Sequence, residues 1–411
     1  MTHIGDTWNE SELIADPLTG RPVRRLTRRG AINQTPTYHT NSGFTADGTG
    51  LGFVSVRDGA TWVCLADVAT GDLTALWRAP GIGDRNYLHR CMGLLGFLPG
   101  VDGGGICGNR VCMAPKSRTV VFTVQRRMMA VDAGTCEARV LIEDCGDDWI
   151  FGAPCVDPDE QYVAITLSSS HPELRGGKDA VRPGKDYKEY MHTLRLVRVP
   201  LGGGDMEILY EHPGPAQSAH SAYCPVNGNL LYFDLDLPPR YWGGGDGKTP
   251  RIWLLDIGRR TIRPLRDKYP GAFQTHQAWL WDGSAMCYHG GAQGGGEYCG
   301  IAAVSGELLW ERVFTETKFY GHNTPDPRRP ALIIDGTFSR DKLQWLYYDD
   351  SPEEAPKLEP ICVHGTEWKS IPGQYSHPHP LTDASGRWIS FTAAHGGRSD
   401  VYVVDVGSES A

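Results

Sequence analysis

The 411-residue chain lacks any run of about 18 apolar residues, the length a membrane-crossing helix needs, and it has few stretches with the apolar spacing of a long helix. Its opening, MTHIGDTWNE, has no basic segment followed by an apolar one, so it does not read as a secretory signal. These absences describe a soluble, unexported, cytoplasmic protein without a membrane partner. Excess positive charge is missing too. Forty Lys and Arg stand against 49 Asp and Glu, for a formal charge of −9. That balance argues against a nucleic-acid binder, which carries a basic footprint. An anionic substrate stays open, because a local basic cleft can outweigh the global sign. No Cys-x-x-Cys pair occurs, and the eleven cysteines are odd in number and scattered through strand-like segments. They read as small core residues kept as thiols in a reducing compartment. Phosphate loops and Gly-x-Ser-x-Gly elbows are absent as well. A glycosidase carboxylate pair stays open, since its separation is set only in three dimensions.

What the chain has is glycine, proline and aromatic residues: 51 Gly, 28 Pro, 12 Trp and 17 Tyr. This composition favours many short strands joined by tight turns. One phrase recurs as a turn followed by a short strand: FTADGTGLGFVS (44–55), CVDPDEQYVAIT (155–166), WLWDGSAMCYH (279–289) and LTDASGRWISFT (381–392). A second phrase reads as an outer hairpin. It appears at 18–27, 69–77, 133–142, 201–210, 257–266 and 305–313, with a weaker copy at 356–364. Copies lie about 45 to 65 residues apart, the repeat of a four-stranded propeller blade. The pattern predicts an all-β, seven-bladed propeller formed by residues 1–411 as one domain. The first outer strand precedes any complete blade, whereas the last repeat stops at DVYVVDV (400–406) without one. The N-terminal strand, about 13–30, is therefore expected to complete the last blade, about 374–407, and remove the open edge. A sandwich or a pair of β domains is the competing reading. Gly-rich insertions at 93–110, 171–190 and 238–251 are long enough to carry function or simply to cover the surface.

Four histidine-bearing phrases stand just before the innermost strands of successive repeats: SAHSAYCP (His220), QTHQAWLWDG (His276), YGHNTPDP (His322) and YSHPHP (His377, His379). In a propeller such entry segments converge on one mouth of the central channel. Imidazole with an amide oxygen suits a borderline transition metal. Proline keeps the preceding residue extended, and side chains two apart on an extended segment point the same way. His377 and His379 can thus reach one ion, with Gln374 joining from the preceding turn and His322 from the neighbouring blade. A hydrogen-bonded polar ring around a wet channel would need no ion.

The segments QTHQAWLWDGSAM (274–286), YGHNTPDP, GQYSHPHP and RLVRVPLGGG (195–204) resemble those of oligogalacturonate lyases, cytoplasmic seven-bladed propeller enzymes that degrade pectin fragments. The likeness runs weakly over most of the chain and is concentrated in the final three blades. It implies that His322, Gln374, His377 and His379 hold a divalent metal, commonly manganese. It further implies that His276 is the Brønsted base and that Arg251, at the start of a preceding strand, pairs with a substrate carboxylate. His220 is expected near the substrate. Tyr38, His39 and Asn41 lie at the entry of the first blade, where the chain departs from the family's pattern of His and Arg. The insertions near Gly103 and Gly244 are also atypical of it.

The expected partner is an acidic oligosaccharide, and the expected assembly a monomer or homodimer. The leading expectation is a metal-dependent lyase that cleaves short uronate oligosaccharides by β-elimination. A propeller enzyme with the same metal site and a different acidic sugar or glycoside is the alternative within enzymes. A non-catalytic interaction platform is the alternative outside them, although it has no reason to gather three His and one Gln at one mouth.

Overall fold

The computed structural model describes residues 2–36, 42–79, 110–146, 149–170, 191–214, 216, 218–237, 250–266, 274–292, 296–315, 321–336, 338–351, 354–371 and 375–407. These form seven antiparallel sheets of four or five strands, arranged as the blades of a β-propeller, with no helix among the described residues. Each blade begins with an innermost strand and works outward. Blade 4, for example, runs Ser221–Cys224, Asn227–Asp234, Ile252–Asp256 and Thr261–Pro264, each strand paired to the next.

Burial explains why the strand signal is so uneven. The middle strands are covered on both faces by neighbouring blades, so Gly50–Arg57 and Thr119–Val124 are buried at every position and do not alternate. Outermost strands face solvent on one side, and Thr261–Pro264 alternates exposed with half-buried. The blades meet through apolar clusters. One of them joins Tyr232 and Phe233 of blade 4 to Trp279, Tyr288 and Tyr298 of blade 5. Burying an aromatic of this size contributes about 1.5–3 kcal/mol relative to leaving it exposed.

The recurring turn has a conformational cause. Gly48, Gly283 and Gly386 occupy the same place in their repeats and have φ of +69°, +69° and +68°, the left-handed region that glycine enters without cost. Blade 3 carries Glu160 there, at φ +55°.

The ring closes as expected, but through a hairpin instead of a single strand. Glu12–Ala15 and Pro22–Arg25 pair with each other, and the second lies against Arg398–Asp405 of blade 7. The preceding segment Thr7–Asn9 instead extends the outer edge of blade 1 against Asp72–Arg78. The N-terminal segment therefore clasps the first and last blades together and covers two strand edges. Outside the described residues lie the three Gly-rich insertions, apart from Arg110, Pro250 and Arg251, and with them the expectations attached to Gly103 and Gly244.

Innermost strands all run the same way through the channel, so their starts share one mouth and their ends the other. The far mouth holds a cavity of about 570 Å³ bordered by Met113, Val156, Tyr223, Trp279, Pro325 and Thr382. The histidines sit at the near mouth.

Candidate active site at the histidine mouth

His322, directly before Asn323–Pro325, and His377 and His379, before Leu381–Thr382, each offer a nitrogen within 4.8 Å of the others'. The ring of His322 lies 3.9 Å from that of His379 and 5.3 Å from that of His377. Asp335, just beyond Ala331–Ile334, ties the two blades together. Its Oδ1 accepts the His322 backbone N–H at 2.6 Å, and its Oδ2 lies 2.8 Å from His322 Nδ1 and 3.1 Å from the His379 backbone nitrogen. A carboxylate accepts, so Nδ1 carries the proton and Nε2 of His322 is the nitrogen able to ligate. Burial holds His322 and His377 below the usual imidazole range, which keeps both neutral and fit to bind a cation. His377 Nδ1 is itself buried with no hydrogen-bond partner among the described residues. Three imidazoles converging on one point, His322 and His379 buried and His377 half-buried, with His322 oriented by a carboxylate, fit a divalent metal of borderline softness.

His276 stands beside this cluster, its ring 4.4 Å from that of His322. It lies in the innermost strand of blade 5, Thr275–Trp279, where pairing with Ala285–Gly291 skips between Thr275 and Ala278. At that bulge His276 adopts φ +47°, and His379 has the same value. Left-handed backbone at a residue with a Cβ costs of order 1 kcal/mol or more and tends to be kept where a side chain must be aimed. His276 Nδ1 lies 3.0 Å from the Gly321 carbonyl oxygen and 2.7 Å from His289 Nε2. A carbonyl can only accept, so the tautomer that makes this contact a hydrogen bond carries its proton on Nδ1 and leaves the lone pair on Nε2. Burial pushes His289 down to about 4, so it is a neutral imidazole.

Arg251 is 1% exposed at the start of Ile252–Asp256. Its guanidinium spans Asp234 and Asp236, with Nε donating to Asp236 Oδ1 at 2.7 Å and Nη2 to Asp234 Oδ2. Nη1 reaches Gln277 Oε1 at 3.2 Å on the strand that carries His276. Burial pushes Asp236 up to about 6, while Asp234 lies well below the carboxylate range: burial opposes this, and the charge of Arg251 overcomes it. His220 is oriented by the same Asp234, Nδ1 to Oδ2 at 2.9 Å, and its backbone N–H donates to Oδ1 at 2.9 Å.

Blades 4, 5 and 6 thus repeat one device. A histidine at the start of the innermost strand is bonded through Nδ1 to a residue at or within two positions of the end of the second strand: Asp234, His289 and Asp335 respectively. Sequence reasoning missed all three partners. Their signal is an Asp or His 13 or 14 residues after the entry histidine, closing an apolar run: LLYFD, MCYH and LIID. Gln374, Tyr38, His39 and Asn41 lie outside the described residues.

No family model matches the chain. It is 24% identical over 414 residues, covering 95% of both chains, to the oligogalacturonate lyase of Dickeya dadantii and, at the same identity and coverage, to the oligogalacturonide lyase of Pectobacterium atrosepticum. Among solved structures, an oligogalacturonate lyase in complex with manganese superposes with a TM-score of 0.73 at 20% identity, over 99% of each chain. The oligogalacturonate lyase of Vibrio parahaemolyticus gives 0.74 at 21%, with the same coverage. The resemblance read from four short segments therefore extends over nearly the whole chain, and the structures share its fold. Among the described residues, no helix is long and apolar enough to cross a membrane.

Proposed function

We propose that the protein is a metal-dependent lyase that cleaves short uronate oligosaccharides, oligogalacturonate foremost, by β-elimination. The observation that carries this reading is His276 lying 4.4 Å from a ring of the three-histidine cluster, with Nδ1 held 3.0 Å from the Gly321 carbonyl oxygen. The full-length similarity to lyases named for oligogalacturonate supports the substrate class.

Eliminating a 4-linked uronate breaks the C5–H bond beside a carboxylate. Nε2 of His276 takes that proton. The electron pair forms the C4–C5 double bond as the C4–O4 bond breaks, and the departing oxygen is protonated on release. His322, His377 and His379 would hold the ion, with Gln374 as the fourth ligand. When bound, a divalent ion, manganese by analogy with the solved lyase complex, supplies positive charge against the substrate carboxylate as negative charge develops. Asp335 fixes the His322 tautomer and the entry of His379, so the ligand geometry is set before substrate arrives. Arg251 fixes Asp234 and Asp236 and, through Gln277, the strand of His276. In this reading its charge also faces the substrate carboxylate, and His220 lines the same wall. Tyr38 and His39 are the further substrate-binding residues of this proposal. A cytoplasmic location and a monomeric or homodimeric state belong to the same proposal.

The test is ultraviolet absorbance of the unsaturated uronate product on oligogalacturonates and a panel of other acidic oligosaccharides, with and without chelator. New absorbance that chelator abolishes is expected. Its absence on every substrate overturns the lyase reading.

A further inference from the structure

The turn that leads from Leu358–Val363 of blade 6 into the histidines of blade 7 carries groups that the elimination does not use. Trp368 is half-buried there, its ring centre 5.0 Å from that of His377. The indole is fixed in place: Nε1 donates to the Arg340 carbonyl oxygen at 2.7 Å, and the exposed Arg340 guanidinium lies 5.8 Å from the ring centre. Gly336, next to Asp335, makes room for it, since a Cβ there would come within 3.3 Å of two atoms of the six-membered ring.

Lys369 follows, exposed, at φ +65°. Such a conformation is costly for lysine, and a surface turn that needed only the backbone would be served better by glycine. The turn is nevertheless bound firmly to the metal-site loop. Lys369 N donates to Ser376 Oγ at 2.9 Å, Thr366 Oγ1 to the Ser376 carbonyl at 2.8 Å, and Ala394 N to Thr366 Oγ1 at 2.8 Å. Lys369 is close enough that its charge acts on His377. A rigid, partly exposed aromatic with the Arg340 guanidinium beside it and the exposed Lys369 next in the turn matches a sugar ring that bears a carboxylate: the indole offers apolar area at little entropic cost, and the cations offer charge.

We propose that Trp368, Lys369 and Arg340 form a subsite for the uronate residue adjacent to the one that undergoes elimination. The pyranose packs against the indole, and its carboxylate meets the two side-chain cations. Trp368 touches the histidine cluster through His377, whereas His276 touches it through His322, so the subsite accepts a neighbouring residue and leaves the reacting one to His276. This rests on the reading of the substrate as an acidic oligosaccharide.

Two variants test it together. Trp368→Ala removes the platform, and Lys369→Gly removes the charge while relieving the left-handed backbone, so it is expected to melt no lower than the parent. Binding of trigalacturonate to chelator-treated protein is followed by titration calorimetry, which needs no turnover. KM and kcat are measured separately on the metal-loaded enzyme. Both variants should weaken binding about five- to tenfold, the scale of one aromatic or charge contact. The effect should appear in KM more than in kcat, and Lys369→Gly should flatten the salt dependence of binding. Trp368→Phe should recover part of the loss. Unchanged affinity and KM in both variants overturn the subsite. If the parent binds the oligosaccharide and both variants bind it less, but no unsaturated product forms, the lyase reading fails and the subsite stands.

Discussion

His322 Nδ1 lies 2.8 Å from Asp335 Oδ2, and that one contact sets which imidazole nitrogen can serve as a ligand. Asp335 is fully buried and also receives backbone N–H groups from His322 and His379. Replacing it with Asn keeps the volume but offers an amide where an acceptor is required on both oxygens. Asp335→Asn is therefore expected to lower divalent-metal affinity about 10- to 100-fold, the usual scale for a residue that orients a ligand. Competition titration with a metal-sensitive dye reads it directly. Affinity equal to the parent's would show that Asp335 only fills space.

His276 poses a different problem, because its φ of +47° means that a simple truncation to Ala changes the backbone as well as the chemistry. Asn enters the left-handed region more readily than most residues. His276→Asn should thus melt close to the parent while product formation falls by about 10²-fold or more, the contribution of a positioned general base. Retention of most activity by a folded His276→Asn protein would remove His276 from the role of base.

The blades and the histidine mouth were readable in the sequence for reasons the structure makes plain. Gly48, Gly283 and Gly386 repeat because one turn in each blade demands left-handed backbone, so the repeat is visible even where the strands between are not. The entry histidines stand out because they recur at one place, at the start of the innermost strands of successive repeats. Asp234, His289 and Asp335 stayed hidden because each lies at or near the end of a second strand, where a single Asp or His looks like the start of a loop. Only the pairing of first and second strands reveals that they face the entry histidines. Trp368 had no periodic signal at all, since its position depends on Gly336 in the neighbouring blade. The N-terminal segment was half legible. Its closing strand followed from counting outer strands, but the attachment of Thr7–Asn9 to the first blade did not, because a short exposed strand can pair with either neighbouring edge.

Arg251 carries a structural duty that any kinetic reading of its variants must separate from a catalytic one. Its guanidinium is 1% exposed and neutralises two buried carboxylates. Removing one partner of such a cluster costs about 3–5 kcal/mol, because the remaining charge is left buried without compensation. Arg251→Ala is expected to lose stability on that scale near pH 8 and less near pH 5, where Asp236, already at about 6 in the parent, takes up a proton more readily. Arg251→Lys recovers little, since one ammonium cannot bond both carboxylates as the planar fork does. Urea denaturation at the two pH values measures this, and equal stability of Arg251→Ala and parent at the higher pH would contradict it.

Glu297 gives the fold a pH dependence of identifiable sign. It begins Glu297–Ala303 in blade 5 and is 6% exposed; its Oε2 has no hydrogen-bond partner among the described residues. Burial first, and then the negative charge of Asp335, raise its carboxyl from 4.5 to about 8. In the unfolded chain it ionises near the lower value, so between the two the native state holds a proton that the unfolded state has released. Stability therefore falls as pH rises from 4.5 toward 8 and levels off above that. Glu297→Gln has no proton to lose. Its melting temperature should match the parent's near pH 4 and exceed it increasingly up to about pH 8, by an amount corresponding to a few kcal/mol. Thermal denaturation of both proteins across that range is decisive: parallel curves would mean that Glu297 ionises as readily in the folded protein as in the unfolded one.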